Sequence, residues 1–232
     1  MKKHFFFDLD GTLTESRQEI ALAMAATLAV LKNVGIDIIV ISGAERSRME
    51  KQLAGVEVRF IMAQSGADSP FWQTKMNERD EVEVWRHIKK VQKLLYEHDW
   101  GDDEKSWNRY VENRGGQISF SLTGHNCPIE IKQNYDPSGK RRTVILKEVP
   151  FHSLKLECRI AGTTCFDYTF KNATKGKNIA RLINHLKWNK EDCIYFGDKL
   201  MKGGNDETVM GVIDTVQVSG PNQLMQELKK YV

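Results

Sequence analysis

Apolar residues follow two periodicities along this chain, and their alternation predicts an α/β protein. His4 to Leu9 is a short apolar run that stops in an acid-rich turn, and Ile36 to Ile41 and Arg59 to Ala63 are further short runs of strand length. Between them, Glu19 to Asn33 and Ala44 to Ala54 carry apolar residues at helical spacing, so the stretch reads β, α, β, α, β. Strands that are apolar on both faces must be covered on both faces, which predicts a parallel sheet flanked by helices. Sites in such sheets lie at the carboxyl ends of the strands.

From about Phe71 the pattern changes. A charged helix is expected over Glu78 to His98, with Val84, Ile88, Val91, Leu94 and Leu95 on one stripe. Gln117 to Thr123, Arg142 to Val149 and Leu154 to Ile160 then read as strands of an antiparallel sheet with one wet face. From Lys175 the βα rhythm returns: a helix to Leu186, a strand over Cys193 to Phe196, a glycine-rich loop, a short strand near Thr215 to Val218 and a closing helix from Asn222. The simplest organisation is one core, residues 1–70 and 171–232, interrupted by an inserted α+β domain over 71–170. No internal repeat or low-complexity tract intervenes.

Composition narrows the function classes. The chain has 232 residues, 41% of them hydrophobic and 28% charged, enough to bury a core of its own. Its 34 Lys plus Arg against 31 Asp plus Glu give a net charge of +3 that is not gathered into one basic block, so no nucleic-acid partner is expected and a small anionic substrate fits better. No apolar stretch approaches the roughly 18 to 20 residues of a membrane span, and the opening Phe5-Phe6-Phe7 is cut off by Asp8, so neither a membrane segment nor a signal peptide is expected. The four cysteines lie far apart without a CxxC pair, which argues against a zinc site or a disulfide framework and for a cytoplasmic setting.

The chemistry concentrates where the first strand ends, in Asp8-Leu9-Asp10-Gly11-Thr12-Leu13-Thr14. Two carboxylates two residues apart at a turn can face one point, where they would hold Mg²⁺ through hard oxygen ligands or divide nucleophile and acid/base duties. A phosphate dianion would be repelled by that pair unless a cation intervened. The same residues could instead merely cap the next helix, but DxDGT directly after an aromatic strand is a specific pattern.

On those residues the chain resembles the haloacid dehalogenase superfamily of aspartyl phosphotransferases. Three further motifs of that family follow in order: Ile39-Val40-Ile41-Ser42-Gly43, Lys175 within Ala173-Thr174-Lys175-Gly176, and Tyr195-Phe196-Gly197-Asp198 followed by Gly203-Gly204-Asn205-Asp206. A narrower resemblance is to the eukaryotic-type phosphomannomutases, a type IIB branch with an α+β cap of the C2B kind. It rests on DLDGTLTESRQ from Asp8, GDKLMKGGND from Gly197, ENRGGQISFSLTGHNC from Glu112 and GTTCFD from Gly162.

The resemblance implies a Rossmann-like parallel-sheet core with an inserted cap, and a Mg²⁺-dependent enzyme acting on a sugar phosphate. Asp8 would be the nucleophile that forms an aspartyl-phosphate, Asp10 the acid/base, and Ser42 and Lys175 the groups that neutralise the transferring phosphoryl. Asp8, Asp10, Asp198 and Asp206 would hold Mg²⁺, and Asn205 would orient Lys175 or the nucleophile loop. Substrate contacts would come from Arg17, Gly43, Arg114, His125, Lys132, Cys165, Asp167 and Asn205. Caps of this branch often pair, which implies a homodimer.

The departures from the branch bear on the reaction. The family presents three arginines to a distal phosphate, whereas this chain keeps Arg114 and has His125 and Lys132 at the other two places; Cys165 replaces a serine of the sugar-binding pair, and the loop after Asp206 is shortened. Exchanging bidentate guanidinium groups for an imidazole and an ammonium weakens capture of a second phosphate. A mutase needs that capture and a phosphatase does not, so a hexose-phosphate phosphatase is expected first, a phosphomannomutase second, and a silent binding protein on the same fold last. Phe5, Phe6 and Phe7 are expected in the core, and Lys140-Arg141-Arg142 in an exposed hairpin turn. Trp72, Trp85, Trp100 and Trp107 are expected to cluster in the insert.

Overall fold

A computed structural model describes residues 2–96, 108–171 and 173–231. The chain divides into two compact units, residues 1–73 with 172–232, and 74–171. The α/β fold class and its parallel sheet are present in the larger unit.

That unit is built on five parallel strands. They are β1 (His4–Phe7), β2 (Asp37–Ile41), β3 (Phe60–Met62), β10 (Cys193–Gly197) and β11 (Asp214–Gln217), in the order β11-β10-β1-β2-β3. Successive side chains of a strand point to opposite faces, and the two cores follow that rule. Phe5, Phe7, Ile38, Val40, Ile194 and Phe196 pack on one face with Met24, Leu28 and Leu31 of α1 (Leu22–Asn33), Met49 and Leu53 of α2 (Arg46–Leu53), and Leu224 and Leu228 of α7 (Pro221–Leu228). Phe6, Ile39, Ile41 and Tyr195 pack on the other with Ile179, Leu182 and Ile183 of α6 (Lys175–Leu186). All three phenylalanines of β1 are fully buried.

Register brings the strand ends level. Phe7 pairs with Val40 of β2 and with Phe196 of β10, and the Asp8 amide continues the ladder to the Phe196 carbonyl at 2.9 Å. Asp8, Ser42 and Asp198 therefore leave the sheet at one edge, from three adjacent strands. A short hairpin of β4 (Asp68–Ser69) and β5 (Trp72–Gln73) completes the unit.

The smaller unit is a four-stranded antiparallel sheet, β6 (Val111–Asn113), β7 (Gln117–Ser121), β8 (Leu156–Ala161) and β9 (Cys165–Phe170), in the order β6-β7-β9-β8. Ile118, Phe120, Leu156, Phe166 and Tyr168 form its apolar face, packed on Val84, Ile88 and Val91 of α3 (Glu78–Leu95) and Ile145 of α5 (Lys140–Glu148). Val84, Ile88 and Val91 of the expected stripe are buried and Leu95 packs beside them, whereas Leu94 is exposed and lies off the core; a reciprocal capping box of Asn77 with Asp80 starts the helix.

Three expectations are corrected here. Arg142 to Val149 is no strand: it lies in and just past α5, because Gly139 at φ +72° opens a helix and Arg142 and Ile145, three apart, share its buried side. Arg142 is no exposed turn residue either, being 1% accessible. Its Nε donates to Asp136 Oδ2 at 2.9 Å, Nη1 to the Ala161 and Cys165 carbonyls at 2.7 and 3.0 Å, and Nη2 to the Asp136 and Gly162 carbonyls at 2.9 and 3.0 Å. Trp72 does not join the insert: it belongs to the larger unit, under the Arg181 guanidinium at 4.1 Å, while Trp85 packs on the core of the smaller one. Trp100 and Trp107 lie outside the described residues, as does the end of the Glu78 to His98 helix. A further helix, α4 (Ile129–Tyr135), stands where no element was expected. No described helix is long and apolar enough to cross a membrane.

Because Arg142 satisfies a buried carboxylate and four carbonyls, Arg142→Met strands all of them. The substitution is expected to destabilise the protein by about 3–5 kcal/mol in urea unfolding. An unchanged midpoint would show that the turn after β8 does not depend on this cation.

Candidate active site

The residues at the level strand ends form one buried electrostatic cluster. Lys175 is the first residue of α6, whose start is set by Thr174, its Oγ1 accepting from the Lys177 amide at 3.3 Å. Packing of Ile179, Leu182 and Ile183 fixes that helix on the sheet and points the Lys175 ammonium beneath β1 and β10. Its Nζ donates to Asp8 Oδ1 at 2.5 Å, to Asp206 Oδ1 at 2.7 Å and to the Tyr195 hydroxyl at 3.3 Å. Tyr195 in turn donates to Asp206 Oδ1 at 2.7 Å, and the Lys199 amide donates to Asp206 Oδ2 at 3.2 Å.

Asp8, Asp198 and Asp206 each place a carboxylate oxygen within 4.8 Å of the other two. Asp198 Oδ2 meets the exposed Lys199 ammonium at 3.1 Å, while Asp198 Oδ1 is buried and accepts no hydrogen bond. A backbone turn lets these groups approach: a Cβ on Gly11, at φ +82°, would stand 2.7 Å from Asp198 Oδ2. One on Gly197 would collide with Asp206 and the Tyr195 ring.

The charges do not balance. Burial pushes the Asp8 carboxyl above the usual range, Lys175 opposes that rise, and the Asp206 and Asp198 carboxylates add to it. Burial works against the Lys175 ammonium as well, yet the two carboxylates it touches hold its pKa above the ordinary lysine value. Asp206 is kept below the ordinary carboxylate value, despite burial, by Lys175 and Tyr195. Three carboxylates against the buried Lys175 and the exposed Lys199 still leave a negative surplus, and the orphaned Asp198 oxygen is a hard donor beside it. A divalent cation with oxygen ligands fits this donor set.

Asp10 is not part of that trio. Its Oδ1 accepts from the Arg17 amide at 2.6 Å and Gln52 Nε2 at 3.0 Å, and its Oδ2 from Arg48 Nη2 at 2.8 Å. Three donors thus engage its carboxylate, which stands outside the group formed by Asp8, Asp198 and Asp206. Ser42 is buried at the end of β2, its Oγ accepting from the Ala44 amide at 3.2 Å, and Gly43 follows in the loop before α2. Arg17 has an exposed side chain. Asn205 is exposed and is not among the groups that hydrogen-bond Lys175, which are Asp8, Tyr195 and Asp206.

The smaller unit carries a second polar cluster on the sheet face opposite its apolar core. Ser119 of β7 lies across from Asp167 of β9 and donates to its Oδ1 at 2.6 Å. Burial raises the Asp167 carboxyl, and the Ser119 bond and the Arg114 charge offset part of that. Arg114 Nη2 is paired with Glu112 Oε2 at 2.5 Å, and Glu112 Oε1 lies 3.4 Å from His125 Nδ1. His125 Nε2 donates to the Ser119 carbonyl at 3.1 Å, and burial lowers its pKa although Glu112 opposes this. Lys132 donates to the His125 carbonyl at 2.5 Å. Cys165 is half-buried on the same side of β9 as Asp167, two residues away, and its Sγ lies 3.5 Å from Thr164 Oγ1. Arg114, His125 and Asp167 are thus linked through Glu112 and Ser119, Lys132 joins through the His125 carbonyl, and Cys165 shares only the face of β9.

Sequence reasoning gave no role to Tyr195, Arg48, Gln52, Glu112 or Ser119. The signal for Gln52 was available: a polar residue between the apolar Met49 and Leu53, on the side of α2 that must be buried.

A family profile described as haloacid dehalogenase-like hydrolase matches residues 5–210. The chain is 28% identical to a phosphomannomutase of Schizosaccharomyces pombe, covering 97% of this chain and 92% of that protein. It is 30% identical to phosphomannomutase 1 of Dictyostelium discoideum, covering 86% and 83%. Its fold is shared with a haloacid dehalogenase-like hydrolase from Bacteroides thetaiotaomicron, at a TM-score of 0.69 and 12% identity over both whole chains. It is shared likewise with a HAD subclass IIB sugar phosphatase, at a TM-score of 0.62 and 17% identity over 99% of each chain.

Removing the ammonium exposes the imbalance. In metal-free buffer Lys175→Met is expected to lose about 3–5 kcal/mol near neutral pH, since Asp8 and Asp206 then lose the buried cation they share. Burial already holds the Asp8 carboxyl above its ordinary range, and loss of the ammonium that opposes this raises it further above its unfolded value, so the penalty shrinks as pH falls and Asp8 takes up a proton. Urea unfolding of the variant between about pH 7 and pH 5 reads this directly; a variant equally destabilised at both would show that Lys175 is needed for packing alone.

Proposed function

The chain belongs to the haloacid dehalogenase-like hydrolases, within their sugar-phosphatase and phosphomannomutase group, and on that premise we propose that it is a Mg²⁺-dependent phosphatase that hydrolyses a hexose monophosphate through an aspartyl-phosphate on Asp8. The observation that carries this reading is the buried cluster in which Lys175 bridges Asp8 and Asp206 while Asp198 keeps an unsatisfied oxygen.

Asp8, Asp198 and Asp206 would hold the cation. Bound there, Mg²⁺ supplies positive charge that lets a phosphate dianion approach a carboxylate nucleophile. Lys175 holds Asp8 in place and, with the Ser42 hydroxyl, neutralises charge on the equatorial phosphoryl oxygens. An Asp8 oxygen attacks phosphorus in line, the bond from phosphorus to the sugar oxygen breaks, and that oxygen takes a proton from Asp10. In the second half Asp10 removes a proton from water, the water oxygen attacks phosphorus, and the bond to Asp8 breaks to release phosphate.

The smaller unit supports hydrolysis of a monophosphate over transfer between two sugar positions. A mutase must retain a bisphosphate, which calls for free cations. Here the Arg114 guanidinium is paired with Glu112, and the His125 imidazole is driven toward its neutral form by burial. Lys132 is the remaining cation of the set, and it is engaged with a backbone carbonyl. The Ser119–Asp167 pair, by contrast, suits the hydroxyl groups of a sugar. The second reading, a phosphomannomutase, is favoured by the near-full-length likeness to proteins of that name.

Phosphorus NMR with Mg²⁺ and mannose 1-phosphate, with and without a trace of glucose 1,6-bisphosphate, separates the two. A phosphatase releases inorganic phosphate regardless of the bisphosphate, and Asp8→Asn releases none. Bisphosphate-dependent formation of mannose 6-phosphate, outpacing hydrolysis, would overturn the phosphatase reading in favour of the mutase. Phosphate release that survives Asp8→Asn would overturn both.

A further inference from the structure

Asp10 must turn a proton toward a leaving oxygen and later take one from water, so the orientation of its carboxylate matters as much as its presence. Three donors fix that orientation. Two come from α2, where Arg48 and Gln52 stand one turn apart on the same side: Arg48 Nη2 reaches Asp10 Oδ2 at 2.8 Å and Gln52 Nε2 reaches Asp10 Oδ1 at 3.0 Å. The third is the Arg17 amide at 2.6 Å, delivered by a backbone at φ +62°, a conformation unfavourable for arginine. Gln52 is 3% accessible and its Nε2 also faces Thr14 Oγ1 at 3.2 Å and the Gln18 carbonyl at 3.3 Å. Its Oε1 is buried without a hydrogen bond. Burying an amide with one end unsatisfied costs free energy that an apolar side chain at the same place would not incur, so the amide's contribution lies in its donors.

We propose that Arg48 and Gln52 are positioning residues for Asp10, a two-donor clamp by which α2 sets the rate of both proton transfers. The inference rests on the acid/base role given to Asp10 above. Arg46 of the same helix supplies a natural control, because its Nε and Nη2 engage Asp68 at 3.0 and 3.1 Å and not Asp10.

The test compares a hexose 6-phosphate, whose leaving oxygen needs a proton, with p-nitrophenyl phosphate, whose phenolate leaves without one. For Arg48→Met and Gln52→Met, kcat on the hexose phosphate is expected to fall about 10- to 100-fold with KM changed less than about threefold. The first turnover of p-nitrophenyl phosphate stays within about threefold of wild type, but water activation is slowed, so stopped flow shows a burst of about one nitrophenolate per active site. Arg48→Lys, which keeps a charged donor, recovers most of the loss, and Arg46→Met shows no burst. Equal losses on both substrates without a burst, or Arg48→Met and Gln52→Met indistinguishable from wild type, would overturn the clamp. Asp8→Asn separates the two failures: activity surviving in Asp8→Asn removes the aspartyl-phosphate reading itself, whereas a silent Asp8→Asn beside normal Arg48→Met and Gln52→Met removes the clamp alone.

Discussion

A single buried ammonium, that of Lys175, holds two carboxylates that would otherwise repel each other, and the surrounding structure is arranged to keep it there. A lysine buried to this degree survives as a cation only if its charge is matched at contact distance, which Asp8 and Asp206 do at 2.5 and 2.7 Å. Position is enforced by packing: the apolar side of α6 locks into the face of the sheet formed by Phe6, Ile39, Ile41 and Tyr195. The aromatic ring of Tyr195 belongs to that core, and its hydroxyl belongs to the charge cluster. Packing and charge are therefore joined in one residue, and a shift of α6 would be felt at Asp8.

The parallel sheet supplies the remaining geometry. Level register of β1, β2 and β10 places three chain turns side by side, so Asp8, Ser42 and Asp198 converge without any long loop. The turn after β1 then separates two carboxylates that are only two residues apart. Asp8 points into the acidic trio, whereas Asp10 is drawn aside by Arg48, Gln52 and the Arg17 amide. Different neighbours give the two aspartates different surroundings, one bridged to a buried ammonium and the other held in a frame of donors.

Much of this was legible in the sequence, and the failures have physical causes. The strands of the core were readable because they are apolar on both faces, and the acidic turn because its residues have few other uses. The Lys175 to Leu186 helix follows the expected bounds, since its apolar spacing and the Thr174 cap agree. Val144-Ile145-Leu146 misled, because a three-residue apolar run fits a strand or a helix equally; the deciding facts were Gly139 and the burial of Arg142, which depends on carbonyls more than fifteen residues away. The donors that reach Asp10 from α2 were not legible, because spacing says where a backbone turns but not which side chains will meet it there. The pairing of Arg114 with Glu112 was hidden for the same reason: Arg114 lies just past the end of β6, and spacing does not say whether its side chain turns to Glu112 or to a ligand.

Each unit carries its own polar cluster. The larger holds the three carboxylates and the buried ammonium. The smaller presents a paired guanidinium, a desolvated imidazole and a Ser119–Asp167 couple. The central claim is that three carboxylates around one ammonium form a cation site, and calorimetric titration of the metal-free protein with Mg²⁺ tests it most directly. The account predicts one cation bound per chain, weakened at least about tenfold by Asp198→Asn, which removes the charge beside the orphaned oxygen. A folded protein that binds no Mg²⁺, or binds it equally well in the Asp198→Asn variant, would contradict it.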